Sequence, residues 1–202
     1  MRTCYIVGAG EFYGGFTPGA DDLVIAADGG YSSLNLRGIR CDLLIGDMDS
    51  ISELPRGVEI LRHKVEKDET DMHLAYLEGK ARGYSHFAIY GGVGGRADHT
   101  FANYCLLSYI RSEGCTATLY GDGNIAFVIK NEATRVSGTI GNTVSVFAFG
   151  GVAEGVSLKG LYYPLEAATL TPDFPLGISN SLKENECEIG VKRGTLLIIQ
   201  QI

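Results

Sequence analysis

The chain has 202 residues, enough for one large domain or two small ones, and 45% of them are hydrophobic, which is ordinary for a protein with a real core. A net charge of −7 with no basic run excludes an electrostatic nucleic-acid surface but not a nucleotide ligand, for which a metal ion and a few cations suffice. No stretch reaches the ~18 apolar residues of a membrane span and no leader-like segment opens the chain, so the sequence reads as a soluble, cytoplasmic protein. Cys4, Cys41, Cys105, Cys115 and Cys187 are scattered, odd in number and without a CxxC pair, the pattern of buried, reduced thiols.

Cys4 to Val7 is a β-rich run that ends in Gly8-Ala9-Gly10. The longer string GAGEFYGG spaces its third glycine one residue too far for the dinucleotide fingerprint GxGxxG, and Gly14, Gly15, Pro18 and Gly19 break any helix behind it. A loop near a phosphate fits better than an NAD site. Leu23 to Ala27 is a second buried strand and ends in Asp28-Gly29-Gly30. Tyr31 to Gly38 predicts a short helix stopped by Gly38. Leu43 to Ile45 is a third strand, followed by Gly46-Asp47-Met48-Asp49-Ser50. Here two carboxylates stand at i and i+2 where a strand runs out, the end at which open α/β sheets bind ligands. Close anions repel unless a cation lies between them, and oxygen-only donors favour Mg2+ over Zn2+. Capping of the next segment by Asp49 and Ser50 is the alternative. Two successive strand ends that both present aspartate, Asp28 and Asp47, are harder to explain that way.

Val58 to Leu61 predicts another strand. It leads to Lys67-Asp68-Glu69-Thr70-Asp71, where Thr70 or Asp68 would cap a helix carrying Met72, Ala75, Tyr76 and Leu77. Lys67 and Asp71 would then flank a helix N-terminus, which favours anions and suits a phosphate. Capping accounts for Asp68 but less well for Lys67, because a cation is disfavoured at that end. Phe87 to Tyr90 is the next strand, and Gly91-Gly92-Val93-Gly94-Gly95-Arg96-Ala97-Asp98-His99 follows it. Its glycines let backbone amides approach an anion, and Arg96 can fork onto phosphate oxygens. A helix over 98–112 puts Ala102, Cys105, Leu106 and Tyr109 on one face, widened by Phe101, Tyr104 and Leu107, which predicts a well-buried helix. His99 has no Cys or His at ligand spacing, so hydrogen bonding or capping outweighs a zinc role. Thr116 to Tyr120 closes this half as a strand. Beyond Gly121, short β-branched runs at 125–129, 143–147, 156–158, 187–191 and 195–199 alternate with Gly and Asn turns. They predict a small antiparallel sandwich or barrel, with a boundary near residues 121–124.

Four motifs in fixed order, DGG at 28–30, GDMDS at 46–50, KDETD at 67–71 and GGRADHTFAN at 94–103, resemble those of the thiamine pyrophosphokinase family. Lys159 to Leu165 and Gly177 to Asn180 are similar to that family's thiamine-side signatures. The resemblance implies a Rossmann-like, mostly parallel α/β domain at 1–122 that binds ATP and Mg2+. It implies an antiparallel β-sandwich at 123–202 that binds thiamine and forms a homodimer. The reaction so implied moves the β,γ-diphosphate of ATP to the hydroxyethyl oxygen of thiamine and releases AMP, with attack at the β-phosphorus. Asp47, Asp49 and Asp71 are then the Mg2+ ligands, Asp28 is a further acid nearby, and one of these acids can take the hydroxyl proton. Lys67 and Arg96 would hold phosphates, with Gly92 and its neighbours supplying amides. Asp68 and Thr70 fall beside the nucleotide, and Asp98 and Asn103 are nucleotide-side or structural. Tyr162 or Tyr163 would stack on thiamine, with Ser179 and Asn180 on its pyrimidine edge, although ordinary packing explains either tyrosine equally well.

Three positions depart from the family pattern. Cys41 stands where a proline commonly precedes the aspartate, Ser181 follows the Ser-Asn pair where glutamate is frequent, and tyrosine replaces the tryptophan of eukaryotic members. Three other readings compete. A related diphosphokinase acting on another alcohol, such as a hydroxymethylpterin, would differ in the C-terminal aromatic and Ser-Asn region. A nucleotide-binding module without turnover would bind ATP and release no AMP. An NAD-dependent oxidoreductase would leave the acidic and glycine-rich loops unused. The segment from Gly8 to Gly19 is expected to be mobile without ligand.

Overall fold

The structure is a computed structural model that describes residues 2–48, 57–63 and 68–202; Asp49, Ser50 and Lys67 lie outside the described residues. The chain is mixed α/β, with a large, mostly parallel sheet and a separate antiparallel one. It divides into two compact units, residues 1–106 with 114–122, and residues 107–113 with 123–202. Among the described residues no helix is long and apolar enough to cross a membrane.

In the first unit, strands β1 (Cys4–Val7), β2 (Leu23–Ala27), β3 (Leu43–Gly46), β4 (Glu59–Arg62), β5 (His86–Tyr90) and β6 (Thr116–Gly121) run parallel in the spatial order β6-β5-β1-β2-β3-β4. Leu23–Ala27 and Leu43–Gly46 are buried at every position, as a parallel sheet covered on both faces requires. The order runs outward from β1 in one direction and from β5 in the other, so the switch point lies between these two strands. Ligands bind at that crevice in open α/β sheets.

Helix α1 (Gly30–Leu36) follows β2, and α2 (Asp71–Ala81) follows β4. Thr70 is the N-cap of α2, its hydroxyl accepting from the His73 N–H at 3.2 Å. On this side Tyr76 meets Phe87 edge-on, with ring centroids 4.9 Å apart. The opposite face of the sheet is closed by Leu34 of α1 and by the segment after β1, whose Phe12 and Phe16 join Tyr5, Tyr90 and Tyr120 in one cluster. Phe16 stacks on Tyr5 at 4.1 Å, Phe12 on Tyr90 at 5.1 Å and Tyr90 on Tyr120 at 4.4 Å. Arg40 ties down the far end of the same segment by donating to the carbonyls of Pro18 and Gly19. The segment expected to be mobile therefore carries its own anchors.

Helix α3 (Ala97–Ser112) begins one residue before its predicted start, but its buried face is not the one expected. Asn103, Leu106, Leu107 and Ile110 are buried, whereas Phe101 is 61% exposed, Tyr109 is 40% exposed and Cys105 is exposed. Apolar residues surround this helix, so more than one stripe fits the helical period. The stripe that won opens on a polar residue, which hydrophobic counting passes over. The exposed thiol also corrects the expectation of buried cysteines: all five are free, Cys4, Cys115 and Cys187 are buried, and Cys41 is partly so.

The second unit holds β7 (Asn124–Lys130), β8 (Ala133–Ser137), β9 (Thr143–Ala148), β10 (Ala153–Lys159), β11 (Leu165–Leu170), β12 (Gly177–Ser181), β13 (Glu186–Gly190) and β14 (Thr195–Gln201). They pair antiparallel in the orders β12-β9-β14-β7 and β11-β10-β13-β8. One buried cluster draws Val144, Val146, Leu196 and Ile198 from the first set and Val156, Leu158 and Ile189 from the second. Strands β8, β11 and β12 have no counterpart among the predicted runs. Leu165–Leu170 reads LEAATL, a helix-favouring string, and Gly177–Ser181 is built of turn residues. Cross-strand pairing overrides both preferences.

Candidate active site

The acidic end of the site is built by two strand termini that touch. The Asp28 N–H donates to the Ile45 carbonyl at 2.7 Å, and a Cβ on Gly46 would stand 3.2 Å from the Asp28 Cα. Gly46 carries φ +152°, Met48 carries φ +70° and Asp28 itself φ +48°, so both chains turn sharply as they leave the sheet. Met48 sends its side chain into the core and is 7% exposed, while Asp47 before it stays half-buried. Asp71 opens α2, where the helix dipole favours a carboxylate, and is half-buried too. Among the described residues no group of three or more His, Cys, Asp or Glu stands ready to share a metal ion, and Asp49 lies outside them. Asp68 is exposed, and the Thr70 hydroxyl is taken up by its cap.

Behind β5 the glycine segment turns through φ +62° at Gly91, +84° at Gly94 and +64° at Gly95. Gly92 is packed so closely that a Cβ would meet the Leu119 side chain at 2.7 Å, and its carbonyl accepts from the buried Asn103 amide at 2.7 Å. Asn103 thus faces the backbone of the loop. Arg96 and Asp98 are both exposed and pair with each other through contacts of 2.6 and 3.2 Å. The Arg96 guanidinium, followed by the His99 N–H, pulls the Asp98 carboxyl down to about 2. A phosphate arriving at Arg96 would compete with this carboxylate for the same donors. His99 is exposed, and its backbone N–H donates to Asp98 at 3.0 Å.

In the second unit Tyr162 and Tyr163 are 58% and 71% exposed at the turn between β10 and β11. Asn180 lies beneath them, 2% exposed, and its amide is spent on the Tyr163 backbone: Oδ1 accepts from the Tyr163 N–H at 3.0 Å and Nδ2 donates to the Tyr163 carbonyl at 2.7 Å. Oδ1 also accepts from the Ser181 N–H at 2.9 Å. Ser179, at φ +55°, is exposed and held by a hydrogen bond from its N–H to the buried Ser145 hydroxyl at 3.0 Å. Tyr163, Leu158, Leu165, Leu176, Ile178 and Asn180 line a concavity of about 160 Å3. Ser145 escaped the sequence reading because nothing marks a serine inside a Val-Ser-Val strand as a buried hydroxyl.

Two family models match consecutive parts of the chain: the thiamin pyrophosphokinase catalytic domain over residues 19–119, and the thiamin pyrophosphokinase vitamin B1 binding domain over residues 128–196. The chain belongs to the thiamine pyrophosphokinase family. A thiamine pyrophosphokinase of Bacillus subtilis (strain 168) is 27% identical over 185 residues, which cover 88% of this chain and 86% of the relative. A crystal structure of thiamine pyrophosphokinase from Bacillus subtilis superposes with a TM-score of 0.89 at 25% identity, covering 98% of each chain. The fold is shared as well with a thiamin pyrophosphokinase family protein from Enterococcus faecalis, at a TM-score of 0.86 and 22% identity over 100% of this chain and 99% of that one. Membership of the thiamine pyrophosphokinase family leaves no place for the NAD reading of Gly8-Ala9-Gly10.

Proposed function

We propose that the chain transfers the diphosphate of ATP to the hydroxyethyl oxygen of thiamine, giving thiamine diphosphate and AMP. The observation that carries this is the match of both family models, catalytic and vitamin-binding, in sequence along one chain. In this reading residues 1–122 form the Rossmann-like ATP domain and residues 123–202 a β-sandwich for thiamine and self-association, in the cytoplasm.

Asp47, Asp49 and Asp71, with Asp28 beside them, are the residues that would hold Mg2+. The donor set suits a hard cation, since it offers carboxylate oxygens alone and sets Asp28 against the glycine that precedes Asp47. A divalent ion there would offset the charge on the transferred phosphates. One of the acids takes the proton of the attacking hydroxyl. Lys67 and Arg96 hold phosphate oxygens, with amides of the Gly91–Gly95 loop, and Asp68, Thr70 and Asp98 lie on the nucleotide side. The Tyr162–Tyr163 turn offers aromatic faces to a cationic, aromatic substrate, and the exposed Ser179 would meet its pyrimidine edge. Asn180, with both ends of its amide occupied, sets that turn.

The test is AMP release from ATP and Mg2+ with and without thiamine. Thiamine-dependent AMP, with thiamine diphosphate as product, is the expected outcome. AMP release that ignores thiamine but responds to a pterin alcohol would move the acceptor, and ATP binding without any AMP would leave a non-catalytic module.

A further inference from the structure

Gly8-Ala9-Gly10 fails as a dinucleotide fingerprint, yet the fold uses it. β1 and β5 flank the switch point of the sheet, and the turns leaving them are hydrogen-bonded to each other. The Gly8 N–H donates to the Tyr90 carbonyl at 2.8 Å and the Gly10 N–H to the Gly91 carbonyl at 2.9 Å. No side chain fits between them: a Cβ would lie 2.6 Å from the Gly91 oxygen at Gly8, 2.7 Å from it at Gly10, and 2.3 Å from the Gly8 oxygen at Gly91. From another side the Asn103 amide, 6% exposed, reaches the carbonyl of the next residue, Gly92, at 2.7 Å. Two consecutive peptides are thus fixed by separate partners, while a Cβ at Gly95 would meet nothing within 4 Å.

We infer that the Gly8–Gly10 turn and the Asn103 amide are positioning elements that hold the Gly91–Gly95 loop in shape for the phosphates of ATP, Asn103 acting through Gly92 and not on the nucleotide. This rests on the reading of that loop as a phosphate site. Amides already in place lose no further freedom when the anion arrives, and buried partners keep them there. A methyl group at Gly10 must push Gly91 away, and a group misplaced by ~1 Å can lower catalytic efficiency by two orders of magnitude.

Steady-state kinetics of Gly10→Ala, Asn103→Leu and Asn103→Ser, run beside Arg96→Gln, test it, with KM measured separately for ATP and thiamine and folding followed by circular dichroism. The expected result is a rise in the ATP KM of about tenfold or more in folded variants, from a displaced loop or an orphaned Gly92 carbonyl, with the thiamine KM unmoved. Equal changes in both constants, or an unchanged ATP KM, would overturn the inference. Should Gly10→Ala not fold, the two Asn103 variants decide the question by the same readout. Arg96→Gln separates the two levels: if it raises the ATP KM while the Gly10 and Asn103 variants do not, only the positioning role falls. If Arg96→Gln is itself without effect, the phosphate-loop reading falls, and the inference with it.

Discussion

Asp47 is set by its neighbours' backbone. Gly46 and Met48 on either side both adopt positive φ, and the buried Met48 side chain fastens the turn that carries the carboxylate. On the proposed assignment of Asp47 to the metal, Asp47→Asn should lose turnover by about 100-fold or more, because a charge that offsets the cation is gone. Asp49→Asn should behave alike. Near-normal kinetics with an unchanged melting temperature would remove either residue from the site. The places of Asp28 and Asp47 just past strand ends and of Asp71 at a helix start were legible because such ends are local events, read from a few adjacent residues. Asn180 was not. Its neighbours suggest a group facing a ligand, but its amide closes on Tyr163, seventeen positions away, and only the paired strands bring that backbone within reach.

At the scale of elements, the last turn of α3 is fastened by Arg111, which forks onto Glu132 in the β7–β8 turn with two contacts of 2.7 Å. Both side chains are only partly shielded, so the pair contributes about 1 kcal/mol. The Arg111 guanidinium holds the Glu132 carboxyl below its ordinary value. A lowered folded-state value means that the contribution is complete above the ordinary carboxylate range and is lost as acid protonates the group below it. Glu132→Gln should accordingly melt lower than the parent at neutral pH, and the two melting curves should converge in acid. A gap that persists unchanged in acid would assign the loss to packing. Strands β2 and β3 were visible as continuous apolar runs, because they are buried at every position. Strands β8, β11 and β12 were not, since half their residues face solvent and β12 is bent by a register shift between Gly177 and Asn180. For α3 the period was right and the face wrong. Choosing among apolar stripes needs the partner surface, and Asn103 is drawn inside by a carbonyl that no helical pattern contains.

For the molecule as a whole, the second unit leaves Tyr162, Tyr163, Phe174, Leu176 and Ile178 each more than half exposed. Apolar residues concentrated in this way are what a self-association surface or a ligand cleft presents. Sedimentation should return twice the mass of one chain, with Ile178→Lys shifting the equilibrium toward monomer; a parent protein that sediments as a monomer at micromolar concentration would assign the patch to ligand alone.

The aromatic cluster under the segment after β1 has an optical consequence. The chain contains 11 tyrosines and no tryptophan, so its near-ultraviolet ellipticity and emission arise without an indole background. Tyr90 and Tyr120 lie face to face, 4.4 Å apart and within 3° of parallel, with Phe12 and Phe16 against Tyr90. Burial also keeps the Tyr90 hydroxyl protonated in alkali that ionises exposed phenols. Rigid, coupled chromophores of this kind give a circular dichroism band that disappears when packing loosens. The seating of residues 8–19 on the sheet is thus reported by the protein's own absorption, with no label attached.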